Sequence, residues 1–166
     1  IGVLLFLPLN GQSAVKQRNV SSARYVSLSG QVLSKGNPVD ANGGISKFNA
    51  PVMHLVRTKV NSPKGTVLLL TGGDYKTLKI KHEGKSAILF LNAEGFDVAV
   101  LEYHVGEALQ IRNQALIDAL QAFRFLKANA KSLGLRAERL DIMGVSSGAH
   151  LAARTAQKLG DNEQPA

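Results

Sequence analysis

Two short stretches carry the residue types that do chemistry. Gly144-Val145-Ser146-Ser147-Gly148 matches G-x-S-x-G, follows the apolar run Leu140 to Met143 and leads straight into an Ala/Leu-rich helical pattern. A serine at the tip of so tight a strand-to-helix turn has strained backbone angles, and side chains at the flanking positions would collide with the strand and helix behind it. The turn lifts the Ser146 hydroxyl off the sheet edge and leaves the first amides of the helix free to face an anion. Ser146 is therefore a candidate nucleophile for acyl transfer. The second stretch, Thr71-Gly72-Gly73-Asp74-Tyr75, directly follows the β-branched and leucine run Thr66 to Leu70. Its glycine pair lets the backbone approach a ligand and presents amides. Taken alone it reads equally well as a plain β-turn. Beside the elbow, as a second loop at the carboxyl edge of one sheet, it reads as a set of donors for an oxyanion, where each fixed donor contributes about 3 kcal/mol. Neither stretch calls for a metal or an organic cofactor, and no G-x-G-x-x-G or G-x-x-x-x-G-K-[ST] phosphate loop is present.

The surrounding pattern supplies elements to hold these loops. Val52 to Val60 alternates loosely and reads as a strand, Thr66 to Leu70 as a central strand covered on both faces, and Asp97 to Tyr103 as another. Helices are expected from about Lys85 to Ala93, closed by Gly95, and from Ile111 to Leu133, stopped by Gly134. The second has an apolar stripe of Ile111, Ala115, Leu116, Ala119, Leu120, Phe123 and Leu126, which places Asp118, Gln121, Arg124 and Lys131 toward water. Leu140 to Met143 reads as a strand buried on both faces. Strands alternating with helices predict an α/β fold, a mostly parallel sheet with helices on both faces.

With 166 residues, 45% hydrophobic and 19% charged, the chain is long enough for one sizeable core. The net charge of +8 invites a nucleic-acid reading. The basic residues are scattered, however, and no aromatic platform interleaves the loose cluster from Lys76 to Lys85, so no nucleic-acid partner is expected. The absence of cysteine removes disulfides, thiolate catalysis and Cys-type zinc sites.

At the N-terminus, Ile1 to Leu9 is an apolar run too short for a membrane span, followed by small and polar residues up to Ala14. It reads as the remnant of a signal peptide over residues 1–14, which implies export, or else as a buried strand. Residues 15–50 form a Ser-, Gly- and Asn-rich lead-in that looks nothing like a core and shows no identifiable chemistry, with a short strand possible near Tyr25 to Leu28. Residues 51–166 carry the regular pattern.

Thr71-Gly72-Gly73-Asp74-Tyr75, His82-Glu83-Gly84, Leu101-Glu102-Tyr103, the helix from Ile111 and Gly144-Val145-Ser146-Ser147-Gly148-Ala149-His150-Leu151 follow one another in an order that resembles a known family. Over about residues 51–160 the chain resembles the N-terminal half of α/β-hydrolase esterases of the acetylxylan-esterase type, near the hormone-sensitive-lipase and feruloyl-esterase-like groups. Thr71, Asp74 and His104 depart from the residues usual there. The resemblance implies an α/β-hydrolase fold, Ser146 as nucleophile, and oxyanion donors at Gly73, Asp74 and the Ser147 amide. It also implies a serine carboxylic-ester hydrolase acting on a small acyl group such as acetyl on a carbohydrate, with a small-molecule or polysaccharide ester as substrate. A peptidase of the same fold and a non-catalytic binding relative that keeps the elbow are the alternatives. The family's triad runs Ser, then Asp or Glu, then His. His150, one helical turn beyond Ser146, is expected to pack or hydrogen-bond, and His54, His82 and His104 to be surface or supporting residues. The acid and base are therefore expected beyond Ala166, with this chain a fragment that is inactive alone.

Overall fold

The structure is a computed structural model that describes residues 24–136 and 138–161. The proposed signal remnant lies outside the described residues. In chain order the strands are β1 (Tyr25–Ser27), β2 (Val32–Leu33), β3 (Val52–Val56) and β4 (Gly65–Leu70). A π-helical turn at Ile80–Gly84 leads into α1 (Lys85–Ala93). Then come β5 (Phe96–Glu102), α2 (Ile111–Asn129), β6 (Leu140–Gly144) and α3 (Ser147–Asp161). The six strands form one sheet in the order β2-β1-β3-β5-β4-β6.

β4 has no polar side chain except Thr66, and it is buried along its whole length between β5 and β6. Leu68 and Leu70 point to one face, where they meet Ala115, Ala119 and Leu126 of α2 and Leu151 of α3. Val67 and Leu69 point to the other, against Ala87 and Leu91 of α1. This alternation makes the strand the spine of two cores, one on each side of the sheet. The sheet is mixed. β4, β5 and β6 run parallel, as the alternation of strands and helices predicts, and they are the strands whose carboxyl ends carry the site. β1, β2 and β3 extend the sheet antiparallel.

Several elements differ from the sequence reading. β3 stops at Val56 rather than Val60, because Thr58 turns inward: its amide donates to Asp97 Oδ1 (3.0 Å) and its hydroxyl to Asn92 O (2.8 Å). α2 ends at Asn129, yet Gly134 still closes it. The glycine takes φ 69°, and the Leu135 amide reaches back to Ala130 O across it. Asp118 does not face water. It is 1% exposed, and its Oδ2 accepts from the His104 amide (2.8 Å) and lies 2.6 Å from His104 Nδ1. β6 is half-buried at every residue instead of buried on both faces, because among the described residues it pairs with β4 alone. The lead-in contributes to the core after all: Val26 and Ile45 are fully buried, β1 and β2 join the sheet, and Ile45 bridges to Leu78.

Candidate functional site

β6 ends at Gly144, and the chain reverses through Val145 and Ser146 into α3. Ser146 sits at φ 53° and is exposed, a left-handed conformation that an L residue holds only when its surroundings impose it. The surroundings here are backbone. The Val145 amide donates to Leu70 O (3.0 Å), which ties the turn to the end of β4, and the Gly148 amide donates to Val145 O (2.8 Å). A β-carbon on Gly148 would land on the Leu70 carbonyl, so only glycine lets α3 start this close to the sheet.

The glycine loop after β4 lies against the elbow. A β-carbon on Gly72 would stand 2.7 Å from Ser146 Cβ, 2.9 Å from Val145 O and 2.6 Å from Glu83 Oε2, which fixes how near the loop, the nucleophile candidate and that carboxylate are. Gly73, Asp74 and Tyr75 then take φ 130°, 55° and 62°, three left-handed residues in a row, two of them not glycine. Such a run turns its amides to one side. The Gly72 amide donates to Glu83 Oε2 (2.9 Å). The Gly73 and Asp74 amides both donate to Ser147 Oγ, at 3.1 and 2.9 Å. Ser146, Gly73, Asp74 and Ser147 are thus brought together at one sheet edge, and the two amides are directed at the hydroxyl beside the nucleophile candidate.

Three residues that the sequence reading gave no role hold this loop. Glu83 is delivered by the π-helical turn, whose wider winding brings its carboxylate under Gly72. Tyr103, fully buried at the end of β5, donates its hydroxyl to Thr71 O (2.5 Å). Burial pushes its phenol well above the ordinary value, against a hydrogen bond from Ser147. Tyr75 packs its ring under Arg112, 5.5 Å from the guanidinium carbon, and its hydroxyl meets His150 Nδ1 at 2.8 Å. Burial raises the Tyr75 phenol too, with Arg154 and Arg112 opposing. Glu83 and Tyr103 lie in the quoted motifs, but nothing in their spacing says what they touch. With Asp74, Lys76 and Ser147, the Tyr75–His150–Arg112 group lines an open cleft of ≈ 410 Å³ beside the elbow.

All four histidines have partners. His54 stacks on Tyr25 with ring centroids 4.5 Å apart, and His82 Nε2 is 3.0 Å from Asn42 O. His104 pairs with Asp118, and His150 with Tyr75. The arrangement offers an exposed serine, a helix N-terminus and a loop of successive amides, groups that acyl transfer uses.

Comparison with known proteins agrees with this geometry. The chain is 31% identical over 93 residues to an acetylxylan esterase of Xylanibacter ruminicola, covering 55% of this chain and 19% of that protein. It is 30% identical over 97 residues to endo-1,4-beta-xylanase B of Butyrivibrio fibrisolvens, covering 57% and 15%. Among solved structures, an acetyl ester-xyloside bifunctional hydrolase from Caldicellulosiruptor lactoaceticus superposes with a TM-score of 0.59 at 23% identity, over 78% of this chain and 44% of that one. An esterase from Thermogutta terrifontis does so with a TM-score of 0.53 at 20% identity, over 63% and 40%. The chain therefore spans a fifth or less of the curated relatives and under half of the superposed structures. The structures share its fold, and residues 55–164 match the BD-FAE family. With elbow, glycine loop and sheet order in place, the chain belongs to the BD-FAE family of esterase-type α/β-hydrolases.

Proposed function

We propose that the full-length protein is a serine carboxylic-ester hydrolase that removes a small acyl group, acetyl in the first instance, from a carbohydrate. The observation that carries this reading is the glycine loop seated against the exposed Ser146, with successive amides turned to the same side. The sequence likeness to an acetylxylan esterase supports the choice of acyl group and of carbohydrate.

Ser146 Oγ attacks the ester carbonyl. The tetrahedral oxyanion is held by the amides of Gly73, Asp74 and Ser147. The alcohol leaves, and water hydrolyses the acyl-enzyme. Ser146 needs a base to take its proton. His54, His82, His104 and His150 meet Tyr25, Asn42, Asp118 and Tyr75 rather than Ser146, which supports a base and an acid supplied by other residues. The apolar run Ile1 to Leu9 and the small and polar residues after it support export, and no helix among the described residues is long and apolar enough to cross a membrane.

The test is to assay the full-length protein and its Ser146→Ala variant on p-nitrophenyl acetate and on acetylated xylan. Turnover should fall to background in the variant. Hydrolysis undiminished by the substitution refutes Ser146 as nucleophile, and tight binding of the polysaccharide without turnover points instead to a binding protein on the same fold.

A further inference from the structure

We propose that the Ser147 hydroxyl is a built-in acceptor that caps the oxyanion amides between turnovers and has to be displaced by the charged transition state. The proposal rests on the reading of Ser146 as nucleophile. Three successive amides of the loop end on side-chain oxygens: Gly72 on Glu83 Oε2, and Gly73 and Asp74 on Ser147 Oγ. Each N–H has a single hydrogen, so an amide aimed at Ser147 Oγ is not equally aimed at a second oxygen. The hydroxyl is also well suited to accept. Its oxygen has two lone pairs, one for each amide, and Tyr103 donates to Thr71 O, at the start of the same loop.

Two physical consequences follow. Ser147 is covalently fixed next to the nucleophile, so it competes for the amides at a far higher effective concentration than free water does. It is a neutral acceptor, however, and amides bond an oxyanion more strongly than a hydroxyl. A ground-state carbonyl oxygen gains little by displacing it, whereas the tetrahedral oxyanion gains enough. The competition is therefore felt in the chemical step and not in substrate binding. Between turnovers the cap keeps the left-handed run Gly73-Asp74-Tyr75 in its working shape. Ser147 is in this sense a positioning residue whose side chain, apart from its amide, sets the rate.

The experiment compares wild type, Ser147→Ala and Ser147→Thr in the full-length protein. Ser147→Ala should raise kcat on p-nitrophenyl acetate about three- to tenfold with KM unchanged. It should tighten an arylboronic acid, which forms a tetrahedral adduct on the serine, by about the same factor. Ser147→Thr keeps the hydroxyl, so neither the rise in kcat nor the tighter boronate binding of the alanine variant should appear in it. The amide proton resonances of Gly73 and Asp74 should move in the alanine variant and stay in place in the threonine one. A kcat that is unchanged or falls in Ser147→Ala overturns the cap, and so do unmoved resonances whatever the activity. A wild type without turnover that depends on Ser146 overturns the esterase reading instead, and the resonances then decide the cap by themselves.

Discussion

Glu102 brings a carboxylate to a place where only 5% of the residue reaches solvent. Burial raises its pKa, and the two hydrogen bonds that its Oε2 accepts from Asn37, from the amide (2.6 Å) and from Nδ2 (2.8 Å), offset this only in part. A carboxyl whose pKa is higher in the folded state holds its proton more tightly there than in the unfolded chain. Its contribution is fully present below the ordinary carboxyl value of 4.5 and is lost as pH rises through the raised folded value. Glu102→Gln keeps an oxygen for both Asn37 donors and removes the charge. The variant should therefore gain stability relative to wild type as pH rises from 4.5 toward neutral, read as the difference in melting temperature between pH 4.5 and pH 7.5. A difference that is the same in both proteins would show that Glu102 does not titrate in this way. Thr71 makes a second case. It is fully buried, and its hydroxyl finds no hydrogen-bond partner among the described residues. Thr71→Val, of nearly the same shape, should stabilise the protein by about 1 kcal/mol, measured from the urea midpoint. What was hidden at this scale was hidden for a physical reason. The helical period places Asp118 on the wet side of α2, and only the arrival of His104 from the end of β5 makes its burial tolerable. The hydrogen bonds from Gly73 and Asp74 to Ser147 join residues more than seventy positions apart, a distance that no local pattern encodes.

At the scale of elements, the elbow and the spine strand were the most legible parts, because each is specified by hard constraints. A run such as Thr66 to Leu70 has no polar face to show to water. Gly144 and Gly148 stand where the carbonyls of Gly148 and Leu70 would strike a β-carbon. Gly148→Ala is expected to force α3 away from β4, with about 3 kcal/mol of destabilisation and loss of turnover, checked by denaturant unfolding and by the ester assay together. The π-helical turn at Ile80–Gly84 was not legible, since an extra residue per turn leaves no signature in a five-residue stretch. Yet it sets the position of Glu83 under Gly72. The half-buried state of β6 is not legible either, because an apolar run specifies a strand but not how many neighbours that strand has.

At the scale of the whole molecule, the lead-in matters more than its composition suggests. Isolated apolar residues such as Val26 and Ile45, set among serines, glycines and asparagines, have no period, although both are fully buried in the core beneath the sheet. At the other side of the sheet, Leu140, Ile142, Met143 and Val145 remain half-exposed along an edge whose only partner among the described residues is β4. An apolar edge of that kind pairs with whatever strand it meets. Residues 1–166 expressed alone should therefore associate and show no hydrolysis that depends on Ser146, as read by light scattering and by the p-nitrophenyl acetate assay beside Ser146→Ala. A monomeric fragment with such activity would mean that a general base lies among the histidines discussed above.

The order in which the chain is synthesised gives the glycine loop one further property. Ile45, which bridges to Leu78 just beyond the loop, precedes it, and Glu83 and Tyr103, which hold Gly72 and Thr71, follow within about thirty residues. All three leave the ribosome well before Ser146 and Ser147 do. The glycine loop can close on its own clamps while the elbow is still in the exit tunnel. The elbow then docks against a receptor already shaped for it, and the Ser147 hydroxyl is the last latch to engage.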